Sequence, residues 1–305
     1  MLNKERVFVS ARESLRPNEI PSITVYGENL PEAWENAVLA VAEFGASIKT
    51  QYDQEIDPES KDASMFLTVI DPLAEPRIHK ALPCGLDELW IYTQEIVKGV
   101  RDYRVSQGGS YSYHDRLTNW PGVDGWDWFK TDKEELILPH LDQLGRMIET
   151  LSEVPYTRRA QAITWNPPRD SFHHEPPCLQ RIWGRMVKSG DVYLLEMNTH
   201  WRSRDALKAA FMNMFGLTEL QRWMAQQISE KLGQPVVPGR YTEMVDSYHN
   251  YGSYERRGEI AGFLRSLQKR SFAERTYRSD DPVVMEQFEE GRKRLERELA
   301  ERGNQ

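Results

Sequence analysis

Cys178 stands in the run HHEPPCLQ, after two prolines and just ahead of an apolar stretch. A cysteine does nucleophilic chemistry as its thiolate, which partly exposed, electropositive surroundings favour; elsewhere a lone cysteine is an inert core residue. Arginines lie on both sides of it in the chain. Arg158-Arg159 precede it, and THWRSRD (199–205) places Arg202 downstream. Arginine supplies planar, permanently charged, two-pronged donors that suit a phosphate in a way lysine does not. Asn213 interrupts the otherwise apolar AAFMNMF, where a buried amide demands a partner. His249 and Tyr251 are two apart in DSYHNY, hence on one face of a strand. Thiolate attack and anion binding are therefore the chemistries to test against the fold.

Composition narrows the setting. The 305 residues allow one large domain or two small ones. A hydrophobic share of 39% with 9 Trp, 13 Tyr and 10 Phe suffices for a sizeable core and excludes a wholly disordered chain. Net charge is −8, from 39 basic and 47 acidic residues, so a nonspecific nucleic-acid binder is excluded and an anionic ligand needs a local arginine cluster. No apolar run approaches the ~20 residues of a membrane span, and the N-terminus lacks a signal-peptide core; a cytoplasmic protein is expected. Cys84 and Cys178 cannot build a disulfide framework, and Cys84, without a partner motif, reads as structural. His173-His174-Glu175 has no third ligand group nearby in sequence, so no metal is expected.

Periodicity supplies the elements that position these residues. LPEAWENAVLAVAEF (30–44) and LDELWIYTQEIV (86–97) read as helices, each followed by a glycine, and MFLTVI (65–70) reads as a strand. Residues 100–130, rich in Gly, Tyr, Asp and Trp, read as an ordered loop region, and roughly 134–151 as a helix. AQAITW (160–165) is a strand, and 179–187 with 191–201 form a hairpin through Lys188-Ser189-Gly190. The longest helix spans 205–232, and the charged tail from about 281 is a solvated helix. Without strict strand–helix alternation, the class is α+β. The expected organisation is an N-terminal arm (1–22), one catalytic domain (23–275) and a charged C-terminal helix (276–305).

Taken in order, Arg158-Arg159, Pro177-Cys178, Arg202-Ser203-Arg204-Asp205, Asn213 eleven residues after Arg202, and His249-Asn250-Tyr251 resemble the thymidylate synthase superfamily, which includes the pyrimidine nucleotide hydroxymethylases. The likeness covers about 155–255, thins over 45–120 and is absent after about 256. It implies a large mixed β-sheet flanked by helices, with one sheet face packed in a homodimer. It also implies transfer of a one-carbon unit from 5,10-methylenetetrahydrofolate to C5 of a pyrimidine nucleoside 5′-monophosphate, through an adduct between Cys178 and C6. Arg202 then lowers the thiol pKa and, with Ser203, binds phosphate; Arg158 and Arg159 reach in from the partner subunit. Asn213 reads O4 and N3–H, favouring dUMP over dCMP or CMP. By the same resemblance His249 and Tyr251 hold the sugar 3′-hydroxyl, Asp205 meets the pterin, and Tyr113 joins the catalytic group.

Several departures shape the expected product. Leu179 stands where the family has His, and the hairpin is four residues longer than usual. Tyr92 occupies the place of the catalytic glutamate; Glu95, one turn on, is the favoured substitute and Glu88 the other. The tryptophan-bearing loop is shortened, and a charged helix replaces the apolar C-terminal segment that closes the site. A wetter pocket tolerates water attack on the exocyclic methylene, so hydroxymethylation is favoured over reductive methylation to dTMP. Tyr111, Tyr113, Trp126 or Trp128 could supply the lost stacking group and restore methylation. A catalytically silent nucleotide-binding homologue is the reading from another class.

Overall fold

The helix Leu30–Phe44 shows why the sequence breaks where it does. Asn29 caps it, its side chain accepting from the Glu32 amide at 3.1 Å, and Pro31 lies in the first turn, where a missing N–H costs nothing. Its apolar stripe of Ala33, Trp34, Ala37, Val38 and Val41 is buried. Trp34 donates to the Ala206 carbonyl at 2.7 Å and meets His79, Phe211 and Phe263 ring to ring.

The computed structural model describes residues 5–9, 19–109, 111–121 and 140–303. Trp126, Trp128 and the start of the helix expected at 134 lie outside the described residues. The chain forms two compact units: Met1–Tyr92 with Ser203–Gly216 and Arg240–Gln305, and Thr93–Arg202 with Leu217–Gly239.

The first unit is built on a mixed sheet. Ser22–Gly27 runs parallel to Ser60–Val69, while Val7–Val9 and Ala46–Ile48 pair antiparallel with these two strands. Val236–Asn250, from Arg240 on, pairs antiparallel with Ser60–Val69 and parallel with the two-residue strand Arg204–Asp205. Ile23, Leu67, Tyr241 and Tyr248 are fully buried, as alternation predicts for the inner face. On the outer face Phe8, Thr24, Phe66 and Met244 fall in one row across four strands, with Phe8 55%, Phe66 38% and Met244 46% exposed. Glu35, on the Leu30–Phe44 helix, accepts from both prongs of Arg275 at 2.8 Å and pairs with His79 at 2.9 Å. The C-terminal helix Pro282–Gly303 is held by Arg294, which binds Asp87 at 2.6 Å and also Glu88.

The second unit is an antiparallel meander of Gln161–Ile163, Leu179–Ser189 and Val192–Trp201, against which the helix Gln143–Glu153 lays its apolar face. Gln221 fastens the helix Ala210–Leu232 by donating to the Leu195 carbonyl at 2.7 Å. Several boundaries differ from the sequence reading: the strand expected at 65–70 runs Ser60–Val69, and the helix expected over roughly 134–151 is Gln143–Glu153. The long helix begins at Ala210 rather than 205, because Asp205 turns the chain first by accepting from the amides of Leu207 and Lys208. Tyr113 opens a short helix, Tyr113–Thr118, within the stretch read as loop, since Ser112 caps the Asp115 amide.

Candidate active site

The hairpin of the second unit delivers Cys178 and Arg202 to the same place. At its tip Ser189 pairs with Val192, and Gly190 takes φ +60°, a left-handed turn position that suits glycine. Counting back from Ser189 reaches Cys178 in eleven steps, whereas counting forward from Val192 reaches Arg202 in ten. A bulge between Leu179 and Arg181 absorbs the difference, so Leu179 pairs with Trp201. Gln180, the extra residue, folds its amide back onto the Pro177 carbonyl at 2.8 Å. The Arg202 amide then donates to the Cys178 carbonyl at 3.0 Å.

Around the sulfur the charge is positive. Arg202 Nη2 lies 3.6 Å from Cys178 Sγ and 2.6 Å from the Pro176 carbonyl, and Nε donates to the Pro177 carbonyl at 3.0 Å. Three bonds to consecutive residues make the guanidinium a fixed clamp on the nucleophile loop. Cys178 is half-buried, within reach of a ligand. Cys84 has the opposite environment: burial, reinforced by Glu88 and Asp87, pushes its thiol up to about 12, leaving it protonated. Of the two cysteines, only Cys178 sits where a thiolate is favoured.

Two tyrosines seat the same loop. Tyr113 accepts from the Leu179 amide at 3.3 Å and stands edge-on to Trp201, and its hydroxyl is 3.4 Å from that of Tyr111. Tyr111 is hydrogen-bonded to the Cys178 backbone; burial pushes its phenol up, so it stays neutral. Glu95 pairs with Arg101 at 2.6 Å, both side chains part-buried. Arg158 and Arg159 are exposed beside an open concavity of about 760 Å³ that Arg146 also lines. The Trp183 indole holds their loop through the Arg158 carbonyl at 3.1 Å.

The first unit holds the remaining residues of the set. His249 is 6% exposed, with Nδ1 3.2 Å from the Ser247 carbonyl, to which it donates. Among the described residues Nε2 has no partner. A buried orphan of this kind is what a ligand hydroxyl would satisfy. The Tyr251 ring stands edge-on to His249 at 4.7 Å and to Tyr254 at 5.4 Å. Gly252 follows because a Cβ there would lie 1.7 Å from the Pro58 carbonyl. Asp62, across the ladder from His249, accepts from Ser247 at 2.7 Å; burial pushes its carboxyl up.

Asp205 is firmly held. One oxygen takes the Leu207 and Lys208 amides and the other takes the Tyr254 hydroxyl at 2.6 Å. Tyr254 in turn is pushed up by burial and then by Asp205, so it remains a donor. Asn213 receives Arg204 Nη1 on its Oδ1 at 3.0 Å and gives its Nδ2 to the Tyr92 hydroxyl. Arg204 also binds Glu243 at 2.6 Å, and both are fully buried. Burial pushes the Glu243 carboxyl up against the pull of Arg204 and Tyr241. Glu243 and Tyr241 were not singled out from sequence, and Arg204 only as a member of the Arg-Ser-x-Asp motif. The only hint was an arginine at the variable place of Arg-Ser-x-Asp.

A family model described as thymidylate synthase matches residues 97–270, more than half of the chain. The chain belongs to the thymidylate synthase family. It is 26% identical over 227 residues to a Methanosarcina barkeri protein named "Putative thymidylate synthase", covering 74% of this chain and 88% of that one. A relative of the same name from Methanosarcina mazei is 28% identical over 229 residues, at the same coverages. The fold matches that of thermostable thymidylate synthase A from Bacillus subtilis with a TM-score of 0.54 at 17% identity, covering 80% of this chain and 86% of that one. The α+β architecture of a mixed sheet flanked by helices, expected from the resemblance, is thereby established. Among the described residues no helix is long and apolar enough to cross a membrane, and no group of three or more His, Cys, Asp or Glu could hold a metal ion.

Proposed function

We propose that this chain transfers a one-carbon unit from 5,10-methylenetetrahydrofolate to C5 of a pyrimidine nucleoside 5′-monophosphate, dUMP before dCMP or CMP. The observation that carries the reading is the Arg202 guanidinium 3.6 Å from Cys178 Sγ and clamped to the two prolines before it. C5 of a pyrimidine is a poor nucleophile. Thiolate attack at C6 pushes the ring electrons toward O4 and makes C5 enolate-like. Asn213 donates to O4 and accepts from N3–H, His249 Nε2 accepts the 3′-hydroxyl proton with Tyr251 beside it, and Ser203 joins Arg202 at the phosphate.

The folate supplies the one-carbon unit; Asp205 fits a pterin contact, since its held carboxylate keeps a lone pair on Oδ2. Glu95 is the proposed relay to O4, with Tyr113 beside the nucleophile loop. Loss of the C5 proton and of the folate leaves an exocyclic methylene on the nucleotide. Water then adds to that methylene as the C6–S bond breaks, which frees the Cys178 thiol and gives hydroxymethyl, the product we favour. The C-terminal helix supports it, because its tie to Asp87 and Glu88 takes those residues away from any role as an apolar lid. Reductive methylation to dTMP, with oxidation to dihydrofolate, is the second reading, favoured by the names of the relatives. A homodimer whose partner contributes Arg158 and Arg159 accords with their exposure and with the apolar row of Phe8, Phe66 and Met244.

The test is product mass. The protein is incubated with methylenetetrahydrofolate and each of dUMP, dCMP, UMP and CMP. A gain of CH2O reports hydroxymethylation, and a gain of CH2 reports methylation. No gain with any nucleotide, or a gain that survives Cys178→Ser, refutes the proposal.

A further inference from the structure

An asparagine can read either pyrimidine, because half a turn of its amide exchanges oxygen for NH2. Uracil presents a donor at N3 and an acceptor at position 4; cytosine presents the reverse. An amide free to turn accommodates both, so selectivity requires something that tells its oxygen from its nitrogen. The Tyr92 hydroxyl does not, since a hydroxyl both donates and accepts. Arg204 does. It donates to Asn213 Oδ1 at 3.0 Å, and a guanidinium has no acceptor, so a turned amide would set donor against donor. Nor is Arg204 free to follow the amide. Its Nη2 is bound to Glu243 at 2.6 Å and to the Ala210 carbonyl at 3.1 Å, and Tyr241 donates to the same Glu243 oxygen at 2.6 Å. Arg204 is 1% exposed and Glu243 0%, so neither partner can be replaced by solvent.

We propose that the buried Arg204–Glu243 pair is the base-selectivity device of this chain, locking the Asn213 amide in one orientation so that one pyrimidine is accepted and the other rejected. The inference rests on the reading of Asn213 as the base-reading residue and deepens it; with that reading the accepted base is uracil. The second lone pair of Oδ1 remains for N3–H, and the second hydrogen of Nδ2 for O4. Arg204 is a positioning residue, acting on the base only through Asn213.

Calorimetric titration of the full chain with dUMP and with dCMP tests the lock. Wild type should prefer one nucleotide by at least about 30-fold, since the other leaves buried polar groups opposed. In Arg204→Gln/Glu243→Gln both charges go together, so neither is left buried alone. The preference should fall to below about threefold, through a gain for the rejected nucleotide as well as a loss for the accepted one. A purely structural role would weaken both and keep the ratio. Glu243→Gln alone, near in shape, should lower the ratio to an intermediate value. An unchanged ratio in either folded variant overturns the lock. Preference for dCMP that collapses in the variants would keep the lock and overturn uracil, and a wild type that binds neither nucleotide overturns the function and the lock with it.

Discussion

Removing the Arg202 charge should slow the chemistry of Cys178 by an amount the geometry bounds. With 3.6 Å between Nη2 and Sγ, two unit charges interact by about 1.2 kcal/mol at the dielectric of water and about 4.6 kcal/mol at an effective value near 20. A half-buried sulfur lies between these limits and toward the lower one, so about 1.5–2 kcal/mol is the contribution to the thiolate. That corresponds to roughly ten- to thirtyfold in the population of the reactive form near neutral pH. The assay is alkylation by iodoacetamide, followed as mass gain on the Cys178 peptide. Cys84, pushed up to about 12, serves as the slow internal reference. Arg202→Met should slow Cys178 by that factor, and Arg202→Lys, which keeps the charge but loses the fork on the prolines, should recover a good part of it. Equal rates in wild type and Arg202→Met, with the Cys84 rate unchanged, would show that the guanidinium does not activate the sulfur.

Other outcomes follow from the same structure. If the proposed homodimer shares its sites, mixing Cys178→Ser chains with Arg158→Ala/Arg159→Ala chains, each inactive alone, should restore turnover; no recovery after exchange argues against shared sites. Phe66→Asp/Met244→Asp puts charge into the exposed apolar row and should shift the proposed dimer toward monomer in sedimentation. Burial pushes the Glu35 carboxyl up, but hydrogen bonds from His79 and Arg275 outweigh it and hold the group below its usual range. Its stabilising contribution is therefore complete above the unfolded value near 4.5 and lost as pH falls through the lower folded value. Urea midpoints measured from pH 7 down to 3 should fall in that window. Arg275→Met should cost about 3 kcal/mol at pH 7, as breaking a buried pair does, and flatten the acid dependence.

Local patterns carried far in the sequence, and long-range electrostatics did not. The helix Leu30–Phe44 was readable to the residue because its stripe, cap and closing glycine all agree. The hairpin was readable from alternation, yet the bulge at Gln180 was not, since a two-against-one step leaves no compositional mark. Residues 100–130 read as loop from their Gly, Tyr, Asp and Trp content, but a cap bond from Ser112 opens a short helix at Tyr113. The Arg204–Glu243 pair joins residues 39 apart in sequence, and nothing in either neighbourhood announces it. Cys178, Arg202 and His249 were accessible through motif order, which encodes chemistry directly. Asn213's partners became visible only with coordinates.

The offset hairpin has a practical side. Since eleven residues in one arm are matched to ten in the other by a single bulge, the tip can grow or shrink by equal numbers on both sides without shifting the sulfur against the guanidinium. Gly190 faces open space, so a short epitope or a dye-bearing peptide spliced there should report on the enzyme without silencing it. Deleting Gln180, a far smaller edit, should silence it.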